Sequence, residues 1–278
     1  MILHEVTFGP VDRKNRQDAE IFVEYYLAAL LHNGQVCGEY FIVVKKGSLT
    51  ALLSLSGMKA KSLRYHCKYG KKRFKQIKEF FGKPPQWKLL EDVGPKRDTT
   101  WMGAPFLYLC TDHLTWESPL CRGDNGKPIP LYRLPGAHED REAIYFWQDA
   151  YHAYDAIWMK CSALEIPVYK QLADPSSELS QQGLKICKAI EKVTGVPTYY
   201  YLTRYWGRRD NEDKRKCPGC GSAWRMANPS HRSSGFWHFA FQCKRCRLVS
   251  HLADSNDDER HAVIGEFHPK LPKSHRPH

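Results

Sequence analysis

At 278 residues the chain is long enough for one large domain or two smaller ones, and long enough to bury a core without staples throughout. Hydrophobic residues make up 42% and charged residues 26%, which excludes wholesale disorder, and no apolar run approaches the roughly 20 residues of a membrane-spanning helix. Lys and Arg outnumber Asp and Glu by 42 to 30, a formal charge of +12, so an anionic partner is expected, nucleic acid first.

The opening Met1-Ile-Leu-His-Glu-Val-Thr-Phe8 has no basic segment leading into an apolar stretch, so we expect no export signal and a cytoplasmic location. Ile2 to Phe8 reads as a short strand. Arg16 to Leu31 reads as a helix with Ile21, Phe22, Tyr25, Ala29 and Leu30 on one face and Asn33-Gly34 as its stop. Tyr40 to Val44 and Leu49 to Leu55 form strands around a turn at Lys45 to Ser48. A basic helix follows over Lys61 to Phe81, with Leu63, Cys67, Phe74, Ile77 and Phe81 inward. Gly82 to Pro105, broken by Gly and Pro, reads as loop. Phe106 to Leu109 and Ile129 to Leu134 close this part as strands.

From Ile144 the apolar residues Trp147, Tyr151, Tyr154, Trp158 and Cys161 recur at steps of three and four, the seam of a long helix packed on a domain. A second helix spans Ser177 to Thr194 and is ended by Gly195-Val-Pro197. Thr198 to Trp206 is aromatic and strand-like, and Gly207 to Lys216 reads as a polar linker. The fold class expected is therefore α+β: a mixed layer domain over residues 1–136, a helical region over 137–206 packed on it, and a small zinc ribbon with a basic tail over 207–278.

The ten cysteines carry the chemistry. Six stand singly, and without an export signal they are expected as thiols. The other four form Cys217-Pro-Gly-Cys220 and Cys243-Lys-Arg-Cys246. Two intervening residues let one tight turn aim both sulfurs at a common point, and two such turns supply four thiolates for one tetrahedral Zn²⁺. Four protein ligands leave no open position, so the ion is expected to be structural. Arg215 and Lys216 before one turn, and Lys244, Arg245 and Arg247 around the other, are candidate phosphate contacts, with Trp224, Trp237 and Phe239 as candidate stacking surfaces. Charge compensation of the thiolates is the plainer use of the same cations.

Lys59 to Lys78 holds nine basic residues and no acid. Arg64, Lys68, Lys71, Lys75 and Lys78 recur at helical spacing beside Lys72, a stripe suited to a phosphate backbone. Cys110-Thr-Asp-His113 and Cys121-Arg-Gly-Asp124 read as a degenerate hairpin that no longer binds metal. Asp149, His152 and Asp155 read as the polar shoulder of the aromatic seam. No GxGxxG, P-loop, GxSxG or HExxH motif is present, so no catalytic residue is assigned.

The Cys217 to Cys220 turn, the run Cys243-Lys-Arg-Cys246-Arg-Leu-Val-Ser250, Pro197-Thr-Tyr-Tyr-Tyr-Leu202 and Pro130-Leu-Tyr-Arg-Leu-Pro135 resemble an uncharacterised bacterial family described as zinc-ribbon-containing and nucleic-acid-binding. The resemblance implies a bacterial cytoplasmic protein with a C-terminal ribbon and no established activity. The expected function is thus non-catalytic nucleic-acid binding through the basic turns and the basic helix, DNA or RNA being undetermined. The alternative is a protein-interaction module, an adaptor or immunity-type inhibitor, whose ribbon only staples the fold.

Overall fold

Burial alternates along β1 (Ile2–Pro10), as expected of a strand with one covered face. In the computed structural model, which describes residues 2–92, 99–230, 239–254 and 259–269, this strand begins a β-α-β-β-α-β unit. The unit continues through α1 (Arg16–His32), β2 (Val36–Lys45), β3 (Ser48–Leu55), α2 (Lys68–Phe81) and β4 (Gln86–Asp92). The strands pair antiparallel in the order β2-β3-β1-β4. The β2–β3 connection is a two-residue turn at Lys46 and Gly47, both with positive φ, which matches the twist of the strands it joins.

Both helices cover one face of this sheet around Val6, Phe8, Val23, Tyr26, Leu27 and Ile77. The buried stripe of α1 is Ala19, Val23, Tyr26, Leu27 and Leu30, whereas Ile21 and Tyr25, expected inward, are exposed. The helix is apolar on both stripes, and tertiary packing chose between them. The basic helix starts later than its composition suggests: Leu63–Tyr65 is a single 3₁₀ turn, with Leu63 and Arg64 exposed, and Cys67 caps α2 by accepting from the Gly70 amide. Residues 86–92, expected as loop, form β4. Pro84-Pro85 stop short of them, and pairing with β1 supplies the order that local sequence does not.

The second unit holds α3 (His138–Lys160), α4 (Glu165–Ala173) and α5 (Glu178–Thr194) against a six-stranded sheet. Its strands are β5 (Leu107–Leu109), β6 (Leu120–Arg122), β7 (Thr198–Tyr201), β8 (Arg225–Ser230), β9 (Phe239–Cys243) and β10 (Leu248–Ser250), in the order β6-β5-β7-β10-β9-β8. β7 runs parallel to both β5 and β10, and the other pairs are antiparallel. The seam of α3 buries Ile144, Trp147 and Tyr151, and α5 is capped by Ser177, whose hydroxyl accepts from the Ser180 amide, and by Gly195 at φ 70°. Gly183 lets α5 lie on the Tyr200 ring, where a Cβ would sit 2.3 Å from a ring carbon. Residues 131–133, expected within a strand, form a 3₁₀ turn between Pro130 and Pro135.

The sheet passes through the boundary expected near residue 206. β5, assigned from sequence to the first region, pairs with β7 and carries β6 on its far edge, and β10, from the region expected as a ribbon, lies on the other side of β7. Residues 207–216 do not serve as a solvated linker: Glu212 and Arg215 are buried. The C-terminal strands therefore share one core with the helical region, with Cys217, Trp224, Phe241 and Leu248 in contact with the cluster that contains Trp147 and Tyr200.

A buried polar chain joins the two units. His66 lies 2.9 Å from the Tyr26 hydroxyl and 3.2 Å from Gln35 Nε2, while Asn33 donates to Gln35 and accepts from Arg141 of α3. Burial pushes His66 from 6.5 down to about 4, helped by Lys71 and opposed by the Ser62 carbonyl. The unfolded chain therefore binds the extra proton between those values, so this contribution to stability is complete above pH 6.5 and lost on falling to pH 4. Urea titrations at several pH values should show a loss of about 3 kcal/mol across that window. His66→Gln should flatten it, and an unchanged slope in that variant would assign the loss to other groups.

Candidate metal centre

Each cysteine pair sits on a tight turn whose shape the sequence enforces. In the first, the amides of Cys220 and Gly221 donate to the Cys217 carbonyl, and Gly221 takes a left-handed φ of 73°. In the second, the Cys246 amide donates to Cys243 Sγ, and Arg247 takes the equivalent left-handed conformation at φ 54°. A side chain on Gly219 would come 2.9 Å from Cys246 Sγ, so glycine is what lets the two turns approach.

This brings the four sulfurs within 4.8 Å of one another, and Cys220 and Cys243 Sγ are 3.7 Å apart. Tetrahedral metal–sulfur bonds of about 2.3 Å put sulfurs about 3.8 Å apart, so the quartet can hold a metal ion. Cys217 and Cys243 are buried, while Cys220 and Cys246 are partly exposed. A hydrogen bond from Ser222 pulls the Cys220 thiol down to about 6, and burial pushes Cys217 up to about 12. The Cys220 thiol thus ionises early and the Cys217 thiol resists ionisation, and because a metal binds thiolates, uptake should weaken as pH falls.

The predicted cations around the quartet have different fates. Lys216, Lys244 and Arg245 are exposed. Arg247 is tied to Glu191 of α5 at 2.5 Å and lies over the Tyr199 ring. Arg215 does not belong to a phosphate-facing set: it is 1% exposed, packed over Trp224 and Phe241 and ion-paired with Glu212. Trp224 and Phe239 are likewise core residues rather than stacking surfaces, and Trp237 lies outside the described residues. On the stripe, Lys71, Lys72 and Lys78 are exposed, whereas Lys68 pairs with Glu139 and Lys75 with Glu79. Arg64 lies off the helix, over the Tyr65 ring.

The degenerate pair does not assemble a second centre among the described residues. β5 and β6 do form a hairpin there, but His113 pairs with Asp155 at 2.7 Å and Asp124 with Arg122 at 2.7 Å. His152 meets the Thr111 hydroxyl at 2.9 Å. Ser222, two residues after the first CxxC, and the left-handed Arg247, directly after the second, were not apparent from spacing.

These features define a two-sheet α+β protein with a four-cysteine cluster, able to hold a metal ion, built into its second sheet. Residues 1–91, 102–203 and 207–255 each match a domain of unknown function, DUF8589, DUF2310 and DUF8594 respectively. An uncharacterised protein of Haemophilus influenzae is 38% identical over 147 residues, which cover 52% of this chain and 70% of that protein. The chain belongs to the same family as that protein. A second uncharacterised Haemophilus influenzae protein is equally similar, and the match spans 54% of its length. A solved structure described as an antibiotic biosynthesis monooxygenase aligns with 34% of this chain and all of its own at 11% identity and a TM-score of 0.26, which bears on neither fold nor function. Among the described residues no helix is long and apolar enough to cross a membrane.

Proposed function

We propose that the cysteine quartet holds one structural Zn²⁺ and that the protein is a non-catalytic nucleic-acid-binding protein. The observation that supports this most is the exposure of Lys216, Lys244 and Arg245 on the two turns of the quartet. The donor set favours zinc: four thiolates in a closed tetrahedral site suit it, and leave no position for substrate. Lys71, Lys72 and Lys78 on α2 add a second basic surface to a chain of charge +12. With Trp224 and Phe239 buried, binding is electrostatic and sequence-tolerant rather than dependent on base stacking by those rings.

A second reading, a protein-interaction module stapled by the metal, is favoured by the burial of Arg215 and the pairing of Arg247 with Glu191. Gel-shift titrations with single-stranded RNA and duplex DNA at two salt concentrations separate the two. Replacing Lys216, Lys244 and Arg245 by Glu should lower affinity and reduce the log–log salt slope by about 0.7–0.9 per lost phosphate contact, with the melting temperature unchanged. Wild-type affinity in that variant at low salt, or no shift with the intact protein, would favour the second reading.

A further inference from the structure

The first unit meets α3 and the 116–118 loop around a cleft of about 390 Å³, within the range of small-ligand sites and in the inter-unit position where such sites concentrate. Its shape depends on glycine at two positions. Gly34 and Gly38, both at positive φ, line it: a Cβ on Gly34 would lie 2.5 Å from Leu131, and one on Gly38 would lie 3.2 Å from Trp116. The β2–β3 register breaks between Cys37 and Phe41, so the strand bulges where Glu39 and Tyr40 line the cleft. Bulges re-aim side chains at such places.

The lining chemistry is lopsided. Three carboxylates, Glu39, Glu117 and Asp149, face the cleft together with the rings of Tyr40, Trp116 and Tyr145. Neither Lys nor Arg lines it among the described residues, although the chain has 42 of them against 30 acids. His152 adds no compensating charge near neutrality, because burial lowers its pKa and its ring is engaged by Thr111 and set edge-on to Trp116. The floor, with Leu31, Val36 and Leu131, is apolar.

We propose that this cleft binds a small organic cation, an ammonium or guanidinium group carried on an apolar body. The carboxylates supply the counter-charge, the aromatic faces stabilise the cation through their quadrupoles, and the floor takes the hydrocarbon part. An anion is disfavoured by a lining that carries Glu39 and Asp149 and, among the described residues, neither Lys nor Arg. A bare metal ion fits poorly, since the thiol quartet is the one group of three or more donors in mutual reach among the described residues. The cleft is therefore chemically opposite to the basic surfaces proposed for nucleic acid, and the two assignments stand or fall separately.

Saturation-transfer NMR on the full chain tests this with benzylamine, benzyl alcohol and benzoate, which share one ring and differ in charge, and with agmatine as a competitor. Benzylamine should bind saturably, agmatine should displace it, and the alcohol and the carboxylate should bind far more weakly. Glu39→Gln with Asp149→Asn, both at exposed side chains, should weaken benzylamine on the order of tenfold, and Trp116→Leu should weaken it separately. Equal binding of benzyl alcohol would make the cleft a merely apolar site. Absence of saturable binding by both cations, or wild-type affinity in the double variant, would overturn the proposal.

Discussion

Chelation of the proposed zinc should dismantle the second sheet and not only the C-terminal turns. Cys217 and Cys243 lie in the same packed cluster as Trp224, Phe241 and Leu248, and β10 hydrogen-bonds directly to β7. Structural zinc in isolated fingers contributes on the order of 10 kcal/mol or more, comparable with the whole stability of a domain. A strong chelator at neutral pH, or Cys217→Ser, should therefore expose the helical region to proteolysis as far as α3 and change the tryptophan emission. The sheet of Ile2–Asp92 has its own core around Val6, Tyr26 and Leu53 and should remain protected. Proteolysis confined to residues beyond 207 would mean that the turns fold apart from the sheet.

Arg204→Met is expected to be the most damaging single change remote from the cysteines. The guanidinium is 1% exposed and donates to the carbonyls of Ala262 and Ile264 at 2.7 and 2.6 Å, which pins the segment of α6 (Glu259–Ala262) and its extension against the end of β7. It also pairs with Glu266 at 2.7 Å and with Glu212 at 3.4 Å. Burial alone would raise the Glu266 pKa, but Arg208 and Arg204 hold it below the usual carboxylate range. Removing the arginine leaves buried carboxylates undercompensated and two carbonyls unpaired, a loss of about 3–5 kcal/mol. Thermal unfolding should shift down by on the order of 10 °C, with early cleavage after residue 254. A loss below about 1 kcal/mol would show that the cluster is solvated rather than buried, as for surface pairs.

What the sequence disclosed and what it hid divide along locality. The thiol quartet was readable because two residues between cysteines define a turn by themselves. α3 and α5 were readable because apolar spacing, Ser177 and Gly195 are local signals. β6 and β10 have three residues each and owe their existence to their neighbours, so no window of sequence marks them. Charge is visible in a sequence and burial is not: Arg215 and Lys216 are adjacent, yet one is packed over two rings and the other faces water. Trp224 and Phe239 looked like stacking surfaces for the same reason and proved to be core residues on the second sheet, packed with residues of β5, β7 and α3. The acidic cleft gathers residues from 31 to 152, and the junction of two units brings Glu39 and Asp149 into one lining.

X-ray absorption at the zinc edge, on protein purified without added metal or chelator, tests the central claim most directly. The account predicts one zinc per chain with a first shell of four sulfurs at about 2.3 Å. A shell containing nitrogen or oxygen, a sub-stoichiometric metal content, or disulfides among Cys217, Cys220, Cys243 and Cys246 would contradict it.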